Sequence, residues 1–114
     1  PTCSEKHLPG FIDLCDSIRN KNIEEIYCFS VNDPYVLKSW LFSYTSNKLI
    51  KGIADGNAEI SKILNLISDK SNNFMGLRCK RFAMLIDNNQ IIWNLVEESN
   101  QFKVSAAENV LSNL

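Results

Sequence analysis

Ile23-Glu24-Glu25-Ile26-Tyr27-Cys28-Phe29-Ser30-Val31, followed by Asn32-Asp33-Pro34, reads as a strand running into a helix. The first stretch ends in a nearly continuous apolar run, which suits a strand buried on both faces of a parallel sheet. Asn32-Asp33 supplies a polar cap. Pro34 then stands at the first helical position, where the missing N–H costs nothing. Val36, Leu37, Trp40, Leu41 and Tyr44 return at helical spacing and give that helix its apolar stripe.

Working towards the C-terminus, Leu49 to Ala54 reads as a short strand, and Ile60, Ile63, Leu64 and Ile67 mark a third helix. Phe82 to Ile86 and Gln90 to Val96 flank Asn88-Asn89, a hairpin turn. Ser105-Ala106-Ala107-Glu108 has the capping-box pattern and opens a last helix through Val110, Leu111 and Leu114. Towards the N-terminus, Thr2-Cys3-Ser4-Glu5 is a second capping box, with Thr2 as the cap. Leu8, Phe11, Ile12, Cys15 and Ile18 then predict an amphipathic helix from residue 3 to about residue 20. Pro9 interrupts it, having no N–H for the carbonyl of Glu5, and Gly10 adds freedom. The first turn, which carries Cys3, is expected to be weakly tied.

The resulting order is helix, strand, helix, strand, helix, hairpin, helix. Alternation of this kind predicts an α/β fold with helices on the faces of a sheet, and the closing hairpin makes that central sheet mixed. A thioredoxin-like sheet fits the order. In such a fold the helix bearing Cys3 follows a strand, and no strand precedes it in this sequence.

The 114 residues suit one domain, residues 1–114, and a 45% hydrophobic share builds a modest core. A net charge of -1 argues against nucleic acid or an anionic membrane as partner. No apolar run approaches the roughly 18 residues that span a bilayer. The four cysteines, Cys3, Cys15, Cys28 and Cys79, contain no C-x-x-C pair, and there is one histidine, which speaks against a zinc site. A core-forming chain of this kind favours a reducing compartment, with the cytoplasm as default and an organelle as the alternative.

Cys3 carries the first chemical signal. A helix N-terminus offers partial positive charge and unpaired N–H groups, which favour thiolate over thiol. A thiolate attacks a peroxide oxygen and becomes a sulfenic acid. On position alone a terminal cysteine of ordinary reactivity is the competing reading. Cys15 falls on the apolar stripe and reads as core. Cys79 reads as a neutral neighbour of Arg81 rather than a modification site, and His7, one turn from Cys3, as an occupant of a partly exposed face rather than a group that adjusts the thiolate.

Pro1-Thr2-Cys3-Ser4, His7-Leu8-Pro9-Gly10-Phe11, Cys28-Phe29-Ser30-Val31-Asn32-Asp33-Pro34, Lys80-Arg81-Phe82 and Phe102-Lys103-Val104-Ser105-Ala106-Ala107-Glu108 together resemble the type II atypical peroxiredoxins. This is the subfamily of the plant type II enzymes and the fifth mammalian peroxiredoxin. The resemblance runs the length of the chain. It implies a thioredoxin fold and a thiol-dependent peroxidase that reduces hydrogen peroxide and alkyl hydroperoxides. It implies no metal, no organic cofactor and a non-covalent homodimer. Glutaredoxin, glutathione or thioredoxin would be the reductant. A redox-signalling or interaction module with little turnover is the alternative.

By the same resemblance Cys3 is the peroxidatic cysteine, and Arg81 is the active-site arginine that stabilises thiolate and peroxide, with Arg78 as a second candidate. Cys28 matches the position that plant members use to resolve the oxidised cysteine; a buried bystander is the other reading. The mammalian member resolves with a cysteine near its C-terminus, where this chain has Val104. The family pattern P-x-x-x-T-x-x-C sets its threonine one residue before Pro1. The chain is therefore expected to be the C-terminal part of a domain whose first strands and catalytic threonine lie upstream.

Overall fold

The computed structural model describes residues 2–114; Pro1, which opens the first quoted motif, lies outside the described residues. The chain forms two compact units, one of residues 24–80 and one of residues 1–23 with 81–114.

The first of these is built on the strand-into-helix segment. Strand β1 (Tyr27–Ser30) pairs in parallel with β2 (Lys51–Ala54), Cys28 standing opposite Gly52. Helix α3 (Pro34–Phe42), which follows α1 (Leu8–Asp13) and α2 (Cys15–Arg19) in the chain, makes the crossover. It begins as the sequence predicts: Asp33 is extended, its Oδ1 accepts the Val36 N–H at 2.8 Å, and Pro34 opens the first turn. Leu37 and Leu41 are buried, and α3 packs on β2 where Gly52 leaves no side chain. A Cβ there would stand 2.8 Å from Leu37 Cδ2 and 3.0 Å from Leu41 Cδ1.

After β2, the buried carboxylate of Asp55 organises helix α4 (Glu59–Ile63). It accepts from Ile60 N at 3.1 Å, Ser61 N at 2.9 Å and Ser61 Oγ at 2.8 Å. Burial pushes this carboxyl up, and the Ser61, Ile60 and Glu59 donors together hold it below its ordinary value. The helix is shorter than its apolar spacing predicts. Asn65 takes a left-handed conformation at φ 56°, and Leu66 N–H closes on Ser61 O at 2.8 Å, a helix-ending bond. Ile67 thus belongs to no helix: it opens β3 (Ile67–Asp69), which pairs antiparallel with β4 (Leu77–Cys79). That hairpin is absent from the sequence reading.

In the other unit the N-terminal helix is a π-helical turn (Cys3–His7) followed by α1 (Leu8–Asp13) and α2 (Cys15–Arg19). Two expectations are corrected here. Thr2 is no cap: it has helical angles (φ -61°, ψ -41°) and its side chain makes no capping bond. Pro9 does not break the helix either. It occupies the first turn of α1, and the register changes just before it, where Leu8 N–H reaches Cys3 O five residues back. Leu8, Cys15 and Ile18 are buried, as their spacing predicts.

The hairpin β5 (Phe82–Asp87) and β6 (Gln90–Val96) forms as expected. Asn88 and Asn89 both have positive φ (55° and 65°), the requirement of a two-residue turn that matches strand twist. The last helix, α5 (Ala107–Ser112), buries Ala107 and Val110. Gly10 of α1 lies against it, a Cβ at that position being 3.5 Å from Ala107 Cβ. Ser105 does not cap α5; the cap position is Ala106, and the Ser105 hydroxyl is bound elsewhere.

Among the described residues the strands form three two-stranded sheets, one parallel and two antiparallel, and helices alternate with them in chain order. Among the described residues no helix is long and apolar enough to cross a membrane.

Replacing Gly52 by alanine forces two buried leucine side chains to move. The expected cost is about 1–3 kcal/mol, read as a lower urea midpoint with an unchanged slope.

Candidate active site

Cys3 is solvent-exposed on the π-helical turn. Arg81, the residue before β5, brings its Nη2 to 3.7 Å from Cys3 Sγ. Its reach is fixed from both ends. The Arg81 carbonyl accepts Glu97 N–H at 2.9 Å, and Nη1 donates to Gln101 O at 2.6 Å. Its Nε is buried and has no hydrogen-bond partner among the described residues. A guanidinium in this position offers a permanent charge and directed donors to an anionic sulfur and to oxygens beside it.

His7 closes the other side. It stands four residues on along the same turn, its side chain favours the Cys3 thiolate, and Nε2 lies 3.0 Å from the Ser105 carbonyl. Phe11 and Phe102 meet the ring edge-to-face, each at 5.5 Å between centroids. The sequence places His7 one turn from Cys3 but favours a partly exposed face over a part in thiolate chemistry; its contacts here favour the second.

Together these groups lower the Cys3 pKa from 9.0 to about 7. The hydrogen bond from His7 contributes most. Burial opposes it, and the hydrogen bond and charge of Arg81 and the charge of His7 add to the lowering. Named side chains account for the shift, where the sequence reading rested on the helix terminus.

The other cysteines have different surroundings. Cys15 is buried in the core, and burial, followed by the charge of Asp16, raises its pKa. Cys28 is half-buried in β1 and Cys79 half-buried in β4. Cys28 lies in the unit of residues 24–80, whereas Cys3, His7 and Arg81 share the other. Arg78 gives its donors to backbone, Nε to Met75 O at 2.9 Å and Nη1 to Val31 O at 3.1 Å, and so braces a loop.

An exposed cysteine with a depressed pKa, flanked by a guanidinium and an imidazole on a thioredoxin-like framework, defines a thiol redox centre. The profile of the family described as Redoxin matches residues 1–111, and the chain belongs to that family. Peroxiredoxin-2D of Arabidopsis thaliana is 45% identical over 114 residues, covering all of this chain and 70% of that protein. The structure of reduced Prx3 from Vibrio vulnificus in complex with hydrogen peroxide superposes with a TM-score of 0.95 at 42% identity, covering 100% of this chain and 73% of that one. Oxidised Prx3 from the same organism gives 0.89 at 43% identity, over 100% and 71%. The chain is a peroxiredoxin, a thiol-dependent peroxidase acting on hydroperoxide with a thiol reductant.

Because the shift is downward, the sulfur is thiolate above the folded-state pKa and thiol below it. At pH 7 about half of Cys3 is ionised, against about 1% for an unshifted thiol. Alkylation of the Cys3 peptide, followed by mass spectrometry across pH, is expected to rise with a midpoint near 7. A midpoint near 9 would show that the partners do not act on it.

Proposed function

We propose that Cys3 is the peroxidatic cysteine of a type II atypical peroxiredoxin and that Arg81 stabilises its thiolate and the bound peroxide. The observation that carries this reading is the 3.7 Å approach of Arg81 Nη2 to Cys3 Sγ. The thiolate donates an electron pair to the terminal oxygen of ROOH. An S–O bond forms, the O–O bond breaks, and RO⁻ leaves to take up a proton. The products are Cys3 sulfenic acid and ROH. Arg81 keeps its charge throughout, and its buried, unpartnered Nε–H is a donor suited to an oxygen gaining negative charge.

Resolution is assigned to Cys28 through a disulfide with Cys3, followed by reduction by glutaredoxin, glutathione or thioredoxin. A disulfide needs Cα atoms within about 7 Å. The π-helical turn next to Pro9, which has no N–H to offer the preceding turn, is the segment able to unwind for it. The apolar surface of the residue 24–80 unit, where Tyr35 and Phe74 are 85% and 98% exposed, supports assembly as a homodimer. Four free cysteines, one of them buried in the core, fit a reducing compartment, with the cytoplasm as default and an organelle as the alternative.

Stopped-flow oxidation of the full-length protein by hydrogen peroxide tests the assignment. Cys3→Ser is expected to abolish the fast phase, and Arg81→Gln to slow it by about 100-fold. A Cys3→Ser variant that reacts like the parent sinks the reading. Mass spectrometry after peroxide treatment tests the second cysteine: a Cys3–Cys28 disulfide is expected, and is lost in Cys28→Ser. Accumulation of Cys3 sulfenic acid with Cys28 still reduced would instead assign resolution to the external thiol.

A further inference from the structure

Glu97, the residue after β6, is buried at 6% exposure, yet no cation pairs with it among the described residues. Its carboxylate is spent on one turn. Oε2 accepts from Lys103 N at 2.7 Å, Ser105 N at 2.9 Å and Ser105 Oγ at 2.7 Å, and Oε1 accepts from Val104 N at 3.3 Å. Four donors fix residues 103–105, and the Ser105 carbonyl of that turn faces His7 Nε2 at 3.0 Å.

A carbonyl oxygen only accepts. Nε2 must therefore carry a hydrogen whether the ring is neutral or charged, which leaves Nδ1 as the nitrogen that gains and loses the proton. Phe11 and Phe102 hold the plane of the ring by edge-to-face contact. Cys3 stands one turn back on the same π-helical segment, and this ring favours its thiolate.

We infer that His7 is a further catalytic residue, the base that takes the Cys3 thiol proton, and that Glu97 is its positioning residue, acting through the Ser105 carbonyl. This rests on the peroxidatic assignment of Cys3. The S–H bond breaks, an N–H bond forms at Nδ1, and the electron pair remains on sulfur. The imidazolium then pairs with the thiolate through Nδ1–H and with Ser105 through Nε2–H. When the thiolate attacks ROOH, the departing RO⁻ needs one proton, and the proton taken from Cys3 completes the balance. The charged and titratable groups around the ring are Cys3 on its own segment, Arg81 across the sulfur, and Glu97 behind Ser105. Arg81 presents its guanidinium to the sulfur, and Glu97 is held ionised by its donors.

The test is the pH profile of peroxide oxidation in the full-length protein, with His7→Gln, Glu97→Gln and Cys3→Ser compared with the parent. His7→Gln is expected to move the midpoint of Cys3 ionisation upwards. Oxidation should slow by about 10-fold at pH 6 and return towards the parent rate near pH 9, where the thiolate forms unaided. Glu97→Gln is expected to give the same pH signature in weaker form. A uniform fall at every pH would reduce either residue to a structural part. Should Glu97→Gln fail to fold, ¹⁵N shifts of the His7 ring in the parent protein decide. An Nε2–H tautomer in the neutral ring supports the proposal, and an Nδ1–H tautomer overturns it. If Cys3→Ser is inert while His7→Gln keeps a midpoint near 7, this inference fails and the peroxidase reading stands. If Cys3→Ser reacts like the parent, the underlying reading fails.

Discussion

The buried carboxylate of Glu97 is the contact on which the unit carrying Cys3 depends. Taking a carboxylate out of water costs several kcal/mol unless its lone pairs are filled. Here three backbone N–H groups and one hydroxyl fill them, all from residues 103–105. Burial raises this carboxyl, and the Ser105, Lys103 and Val104 donors outweigh it, so that the group stays ionised. The same residue spends its own N–H on the Arg81 carbonyl. One side chain and one amide therefore anchor both neighbours of Cys3, Arg81 directly and His7 through Ser105. Removing the carboxylate would leave its donors unfilled in a buried place, which costs more than the net worth of the bonds themselves.

Asp55 does the equivalent work in the other unit. It too is a buried carboxylate that gathers consecutive N–H groups and a serine hydroxyl, here Ile60, Ser61 and the Ser61 hydroxyl. In one place the first turn of a helix and in the other a loop after a strand carries backbone donors that the regular ladder leaves unpaired, and a carboxylate satisfies several at once. Both arrangements escaped the sequence reading for one reason. Local capping rules look three residues ahead, while these acceptors act across six residues in one case and eight in the other. Ser105 illustrates the conflict. Its spacing to Glu108 has the form of a capping box, but the ionised Glu97 is the stronger acceptor and takes the hydroxyl.

What the sequence made legible were elements set by local stereochemistry. Pro34 after Asp33 starts a helix whatever surrounds it, and Asn88-Asn89 accepts the positive φ that a tight hairpin demands. The apolar spacing of Leu8, Cys15 and Ile18 likewise became a buried face. Tertiary competition decided the rest. Ile67 continues a helical stripe, but Asn65 ends the helix in a left-handed conformation before that stripe is used. Of the site, the cysteine and Arg81 could be read from motif resemblance. His7 could not be separated from a surface histidine, because its importance comes from a carbonyl that lies 98 residues away.

An arginine and a histidine at one sulfur are not redundant, because they act on different quantities. In the proposed reaction Arg81 lowers the energy of the anion by a fixed amount, and its fork of donors remains aimed as charge moves from sulfur to oxygen. It cannot accept a proton. His7 can, but its charge is available only after it has done so. A thiol flanked by arginine alone must lose its proton to solvent. A thiol flanked by histidine alone gains an ion pair whose strength falls as the imidazole deprotonates. With both present, burial of the sulfur is offset by a permanent charge on one side and an exchangeable proton on the other. Cys3 can then be ionised near neutrality while remaining on an exposed turn open to peroxide, and the π-helical register that carries it also sets His7 one turn away on the same segment.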